Sequence, residues 1–139
     1  MSTQATLSPI ECRRVPVRLR MSVLPRHFDR QMLNVERNIM NALRELCDSY
    51  NGGYWEYYEL SNGGFYMAPN DQDAFCLSCQ GNGYEGELSA DAAGIVASLF
   101  GLCRAANTFQ TDNLINHYHW LRDFALAHAE ADAIFAAID

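Results

Sequence analysis

The stretch that decides the fold is Asn51-Gly-Gly-Tyr-Trp-Glu-Tyr-Tyr-Glu-Leu-Ser-Asn-Gly-Gly-Phe-Tyr-Met-Ala-Pro69. Two Asn-Gly-Gly sequences punctuate a run dense in aromatic residues, and Pro69 ends it. Aromatic side chains favour strands, and Asn-Gly tolerates the positive φ of a tight turn. The pattern predicts a central β-hairpin over 54–68 with Asn62-Gly63 as a two-residue turn. In that register Leu60 faces Phe65 and Tyr58 faces Met67. Tyr58, Leu60, Phe65 and Met67 then make a core face, with Trp55, Tyr57, Glu59 and Tyr66 on the other.

On the N-terminal side, Met32, Val35, Ile39, Leu43, Leu46 and Tyr50 recur at steps of three and four. That spacing predicts an amphipathic helix, with Asp29 as its N-cap and Asn51-Gly52 as its stop. Residues 1–23 contain Pro9 and Pro16 and little periodicity, so they read as a flexible or extended N-terminal arm. The run Val15–Leu24 alternates imperfectly and could supply an edge strand. Residues 24–139 read as a single domain.

On the C-terminal side, Ala74–Gln80 reads as a short strand with Phe75, Leu77 and Cys79 on one face. Gly81-Asn-Gly-Tyr-Glu-Gly86 reads as a loop. Ser89 is placed to cap a helix over 90–106 that is apolar nearly all round, hence central and buried. Thr111 is placed to cap a helix over 112–128, and a last helix starts at Glu130. Helix, antiparallel strands and a run of helices give an α+β fold. A small antiparallel sheet of three or four strands is expected, with about four helices mainly on one face.

The charge is unevenly spread. Segment 13–44 holds eight arginines against Asp29 and Glu36, a net of +6, while 45–139 holds Arg104 and Arg122 against fourteen carboxylates, a net of −12. Lysine is absent. The overall −7 is too modest and too uneven to imitate the charge of DNA, and the acidic body disfavours general phosphate-backbone binding. Arg13, Arg14, Arg18 and Arg20 keep a local nucleic-acid contact open as a second reading. No apolar run suggests a membrane span, and the N-terminus lacks a signal-peptide pattern, so a cytoplasmic location is expected. Five cysteines without a regular framework then read as reduced thiols.

Catalytic and metal chemistry find little support. Cys76-Leu-Ser-Cys79 is a lone C-x-x-C on a strand, where the two side chains diverge. His117 and His119 point about 200° apart on a helix and cannot chelate together. Glu56 with Glu59, and Asp71 with Asp73, are carboxylate pairs without a matching acid, base and pocket. No nucleotide fingerprint is present, so no enzyme activity, metal or cofactor is expected. The more promising surface is the second hairpin face. Trp55, Tyr57 and Tyr66, if exposed, would form an interaction patch with Asn62, Asp71 and Asp73 beside it. Such rings could equally stack unpaired bases.

Three stretches carry a resemblance. Gly52–Pro69, Leu88-Ser-Ala-Asp-Ala-Ala-Gly-Ile95 and Leu121-Arg-Asp-Phe-Ala-Leu-Ala-His128 together resemble the antirestriction proteins of the ArdB/KlcA family, and the closing Ile134–Asp139 also fits. The likeness runs from about Leu24 to the C-terminus. It implies a small cytoplasmic protein of plasmids and other mobile elements that protects incoming DNA against host type I restriction-modification systems. It further implies a non-enzymatic inhibitor that is not a DNA mimic. The expected partner is the type I restriction system or an associated host protein.

Overall fold

A computed structural model describes residues 9–139. Strands β1 (Cys12–Arg14), β2 (Trp55–Leu60) and β3 (Phe65–Pro69) form one antiparallel sheet in that order. Strands β4 (Ala74–Cys79) and β5 (Tyr84–Ser89) form a second, two-stranded sheet. The helices are α1 (Arg20–Phe28), α2 (Met32–Leu46), α3 (Ala90–Phe109), α4 (Asp112–Ala125) and α5 (Ala131–Ile138). The class is α+β, as the order of elements predicts.

The hairpin forms where expected, but its register differs by one residue. Gly63 has a φ of +100°, the Leu60 carbonyl accepts from the Gly63 amide at 3.0 Å, and the Gly64 carbonyl accepts from the Leu60 amide at 2.9 Å. Those bonds close a three-residue loop, Ser61-Asn62-Gly63, in place of a two-residue turn. The pairs become Glu59 with Phe65, Tyr58 with Tyr66 and Tyr57 with Met67. A one-residue slip exchanges faces. Trp55, Tyr57, Phe65 and Met67 therefore share one face, and Tyr58, Tyr66 and Ala68 the other.

Helices cover both faces, not mainly one. Against the first, Phe28 of α1 meets Phe65 edge-on at 5.3 Å, and the Tyr57 hydroxyl donates to Glu36 of α2 at 2.8 Å. Against the second, Phe124 of α4 stacks on Tyr66 at 5.9 Å.

Helix α3 is the centre, as its all-round apolar sequence predicts. Ser89 caps it by accepting from the Ala92 amide at 3.1 Å, and Gln110, at φ +55°, ends it. Its length and composition would suit a membrane span, yet its sides are taken up by β3, α2, α4 and α5. The Ser98 hydroxyl donates to the Met67 carbonyl at 3.1 Å and accepts from the Met67 amide at 3.2 Å. Those bonds satisfy backbone groups on the free edge of β3, which would otherwise be an open template for pairing.

The N-terminal elements correct three expectations. Residues 12–23 are not a free arm: β1 pairs with β2, and Arg20 begins a helix where an edge strand was one option. Residues 1–8 of that arm lie outside the described residues. Asp29 does not cap α2; it sits at φ +49° and ψ −121° at the end of α1, a conformation outside the left-handed helical well that residues with a side chain rarely adopt. Helix α2 buries Val35, Ile39, Leu43 and Leu46 as its periodicity predicts, but stops at Leu46, well before Asn51. Finally, Tyr84–Gly86 belong to β5 and not to a loop, with Phe75 opposite Leu88.

Candidate functional site

Burial removes the predicted aromatic platform. Trp55, Tyr57 and Tyr66 are only 2%, 8% and 1% exposed, and Tyr66 lies on the opposite sheet face from the other two. Each polar tip has an internal partner. The Trp55 indole donates to the Tyr50 hydroxyl at 2.9 Å, Tyr57 donates to Glu36, and Tyr66 donates to Asp91 at 2.7 Å. Asn62 is also engaged, donating to the Trp120 carbonyl at 2.9 Å and accepting from the Gly64 amide at 3.0 Å. It fastens the hairpin tip to α4. Asp71 and Asp73 remain exposed in the β3–β4 turn, but the rings they were expected to flank are buried.

The candidate nucleic-acid arginines are likewise not equivalent. Arg13 reaches Glu59 at 3.4 Å, while Arg14 and Arg18 are exposed. The Arg20 guanidinium lies between the rings of Tyr54 and Tyr57, 4.4 Å from each, with Glu56 at 3.7 Å. Cation–π contacts and a carboxylate therefore occupy it, so it is not presented for a phosphate.

Two polar clusters do form. In the first, Glu59 on β2 meets His27 at 2.7 Å and Arg26 at 2.5 Å from α1. Burial pushes the Glu59 carboxyl up, but hydrogen bonds with His27 and Arg26 outweigh it and hold the group below its ordinary value. Behind it, His117 of α4 is 2% exposed, its ring 4.5 Å from Phe28 and 5.2 Å from His27, and its Nδ1 has no hydrogen-bond partner. Burial, then the nearby His27, lowers its pKa from 6.5 to about 4.

That depression has a definite sign. Between pH 6.5 and 4 the unfolded chain takes up a proton that the folded chain refuses, so stability is complete above 6.5 and falls as the pH drops to about 4. The expected loss at pH 5, relative to pH 7, is about 2 kcal/mol from this residue. Denaturant unfolding at both pH values measures it. His117→Leu should stay within about 1 kcal/mol of the parent at pH 7, since the imidazole Nδ1 is unpaired, and should lose most of this pH dependence. An unchanged pH dependence in that variant would refute the assignment.

The second cluster joins the three stretches singled out in the sequence. Tyr66 from the hairpin donates to Asp91 Oδ1 in the first turn of α3; Asp91 Oδ2 meets His128 Nε2 at 2.8 Å in the turn after α4. His128 Nδ1 accepts from the Glu130 amide at 2.9 Å, which fixes the proton on Nε2 and makes His128 a donor to Asp91. The Glu130 carboxylate in turn accepts from the Ser89 amide at 2.9 Å and from the Ser89 hydroxyl. Cys12 of β1 lies 3.5 Å from the Tyr66 hydroxyl. Burial, then the bond and charge of Asp91, push the Tyr66 phenol above its ordinary value, so it stays a donor.

Sequence reading quoted Tyr66, Asp91 and His128 as parts of separate motifs, without seeing that they meet. Each stretch carries other polar side chains as well, so no signal in the sequence singled these three out. Here they act as a staple between β3, α3 and the α4–α5 turn. His117 is in the core, and His128 is held on Asp91. Cys76 is exposed, Cys79 is half-buried, and neither is in a disulfide. Among the described residues, no group of three or more His, Cys, Asp or Glu is gathered to hold a metal.

Comparison with known proteins agrees with this architecture. A family model described as "Antirestriction protein" matches residues 48–139. The Escherichia coli antirestriction protein KlcA is 47% identical over 144 residues, covering 100% of each chain. The uncharacterised YfjX of Escherichia coli K12 is 39% identical, covering 90% of this chain and 85% of its own. A solved structure from the KlcA and ArdB proteins superposes with a TM-score of 0.87 at 48% identity, covering 95% of this chain and 96% of that one. It is described as a novel fold with antirestriction activity against type I DNA restriction systems in vivo but not in vitro. The family-model match, the full-length identity to KlcA and the shared fold place this chain in the antirestriction protein family of KlcA and ArdB.

Proposed function

We propose that this chain protects incoming mobile-element DNA in the cytoplasm by antagonising host type I restriction-modification systems, through protein–protein contact and without catalysis. The observation that carries the reading is the end-to-end likeness to KlcA, which includes the hairpin, α3 and the α4–α5 turn together. The relative's activity in vivo but not in vitro supports a requirement for a cellular component that a purified enzyme assay lacks. Charge supports contact over mimicry. Eight arginines between 13 and 44 would repel the basic groove that a DNA mimic must enter.

The test is the plating efficiency of unmodified phage on cells that carry a type I system, with and without this chain. Plating should rise toward that on a non-restricting host, while purified restriction enzyme should be unaffected by purified protein. Unchanged plating despite folded, abundant protein would overturn the proposal.

A further inference from the structure

The outer surface of α1 and α2 has an apolar trough that the fold leaves uncovered. Met21, Leu24, Pro25, Met32 and Leu33 line a groove of about 330 Å³ whose wall includes Arg20 and Tyr57. Leu33 also belongs to the adjoining hollow of about 290 Å³, which continues along α2 past Arg37 and Met40 to Arg44. Met21 is 93% exposed and Leu33 is 59% exposed. Large apolar side chains at that exposure, clustered and continuous, mark an interaction site more often than chance surface. Three methionines give it a soft, adaptable lining.

The charge along the trough is mainly positive: Arg37 and Arg44 line it, against Glu36 as the carboxylate of that hollow. Among the described residues Arg37 and Arg44 make no ion pair. Of the carboxylates on α2, Glu36 accepts from Tyr57 and its neighbour in charge Glu45 pairs with Arg104 at 2.8 Å. Arg37 and Arg44 are thus left to face solvent along an apolar floor. A helix laid in such a groove meets apolar contacts on one side and guanidinium groups along its flanks.

We propose that this trough docks an acidic amphipathic helix of a partner protein. A second copy of this chain fits poorly. Its acidic helix α5 has already buried Ile134 and Ala137, and the large apolar residues exposed along α4, Ile115 and the C-cap Leu126, stand about three turns apart among mixed charges, Asp112, Arg122 and Asp123. Nucleic acid gains nothing from a methionine floor, and a concave trough suits a helix better than a flat bilayer. The proposal stands apart from the antirestriction reading, since it concerns what binds here and not what binding achieves.

The test uses purified full-length protein and two fluorescent synthetic helical peptides of roughly 15 residues, the length of α2. Both carry leucines at i, i+3, i+4 and i+7; one has glutamate on the flanks, the other lysine. Anisotropy should show binding of the glutamate peptide and none of the lysine peptide. Leu33→Glu should weaken it about tenfold or more. Arg37→Glu with Arg44→Glu should reverse the preference, so that the lysine peptide now binds; both positions are outside the core, and circular dichroism confirms the fold. Binding of neither peptide, equal binding of both, or binding untouched by these variants would overturn the proposal. So would a dimer in sedimentation that Leu33→Glu dissolves, or tight binding of a single-stranded oligonucleotide lost in the same variant.

Discussion

Replacing Gly94 or Gly101 by alanine is expected to destabilise the protein by about 3 kcal/mol each, and the double variant should not fold. A β-carbon on Gly94 would come within 2.3 Å of the Ala68 β-carbon, 2.5 Å of its α-carbon and 2.7 Å of the Met67 carbonyl oxygen. One on Gly101 would stand 2.5 Å from Ile39 Cγ1 and 2.7 Å from the Ile39 backbone. Both obstacles include main chain, which cannot swing aside as a side-chain end can. Helix α3 is therefore held at backbone contact with β3 on one side and α2 on the other. Helix propensity favours alanine over glycine by about 1 kcal/mol, so loss of stability would establish that packing wins over propensity. Gly81→Ala serves as control: nothing lies within 4 Å of its β-carbon, and it should be neutral. Chemical denaturation that ranks the three variants alike would show that the close approach is not as described.

Asp91→Ala should cost about 3 kcal/mol, more than Tyr66→Phe at about 1.5 kcal/mol. Removing the carboxylate strands the buried Tyr66 hydroxyl and the His128 Nε2–H, and takes a negative charge from the first turn of α3. Removing the hydroxyl leaves Asp91, whose side chain is 40% exposed, with His128 and water. The double variant should therefore cost about 1 kcal/mol less than the two singles together. Additivity within error would mean that the two groups do not share a bond. Above pH 10 the unfolded chain ionises a tyrosine that the folded chain keeps neutral, so stability should fall with alkali, and less steeply in Tyr66→Phe.

Local chemistry settled what the sequence could settle alone. Apolar periodicity located α2 and its buried stripe; a hydroxyl before each apolar run located the caps Ser89 and Thr111; the Asn-Gly punctuation located the hairpin. Family membership was also legible, because its motifs are contiguous stretches. Three other things were decided only in the folded structure. The left-handed Gly63 set a three-residue loop, and a single residue of register exchanged which aromatic rings face which helices. Helices on both sheet faces then buried Trp55, Tyr57 and Tyr66, which strand periodicity cannot foresee because it counts faces and not what covers them. The staple of Tyr66, Asp91, His128 and Glu130, and the open methionine trough on α1 and α2, exist only once those segments have packed. Sequence spacing encodes which side of an element is apolar; tertiary packing decides which apolar sides find a neighbour and which are left for a partner.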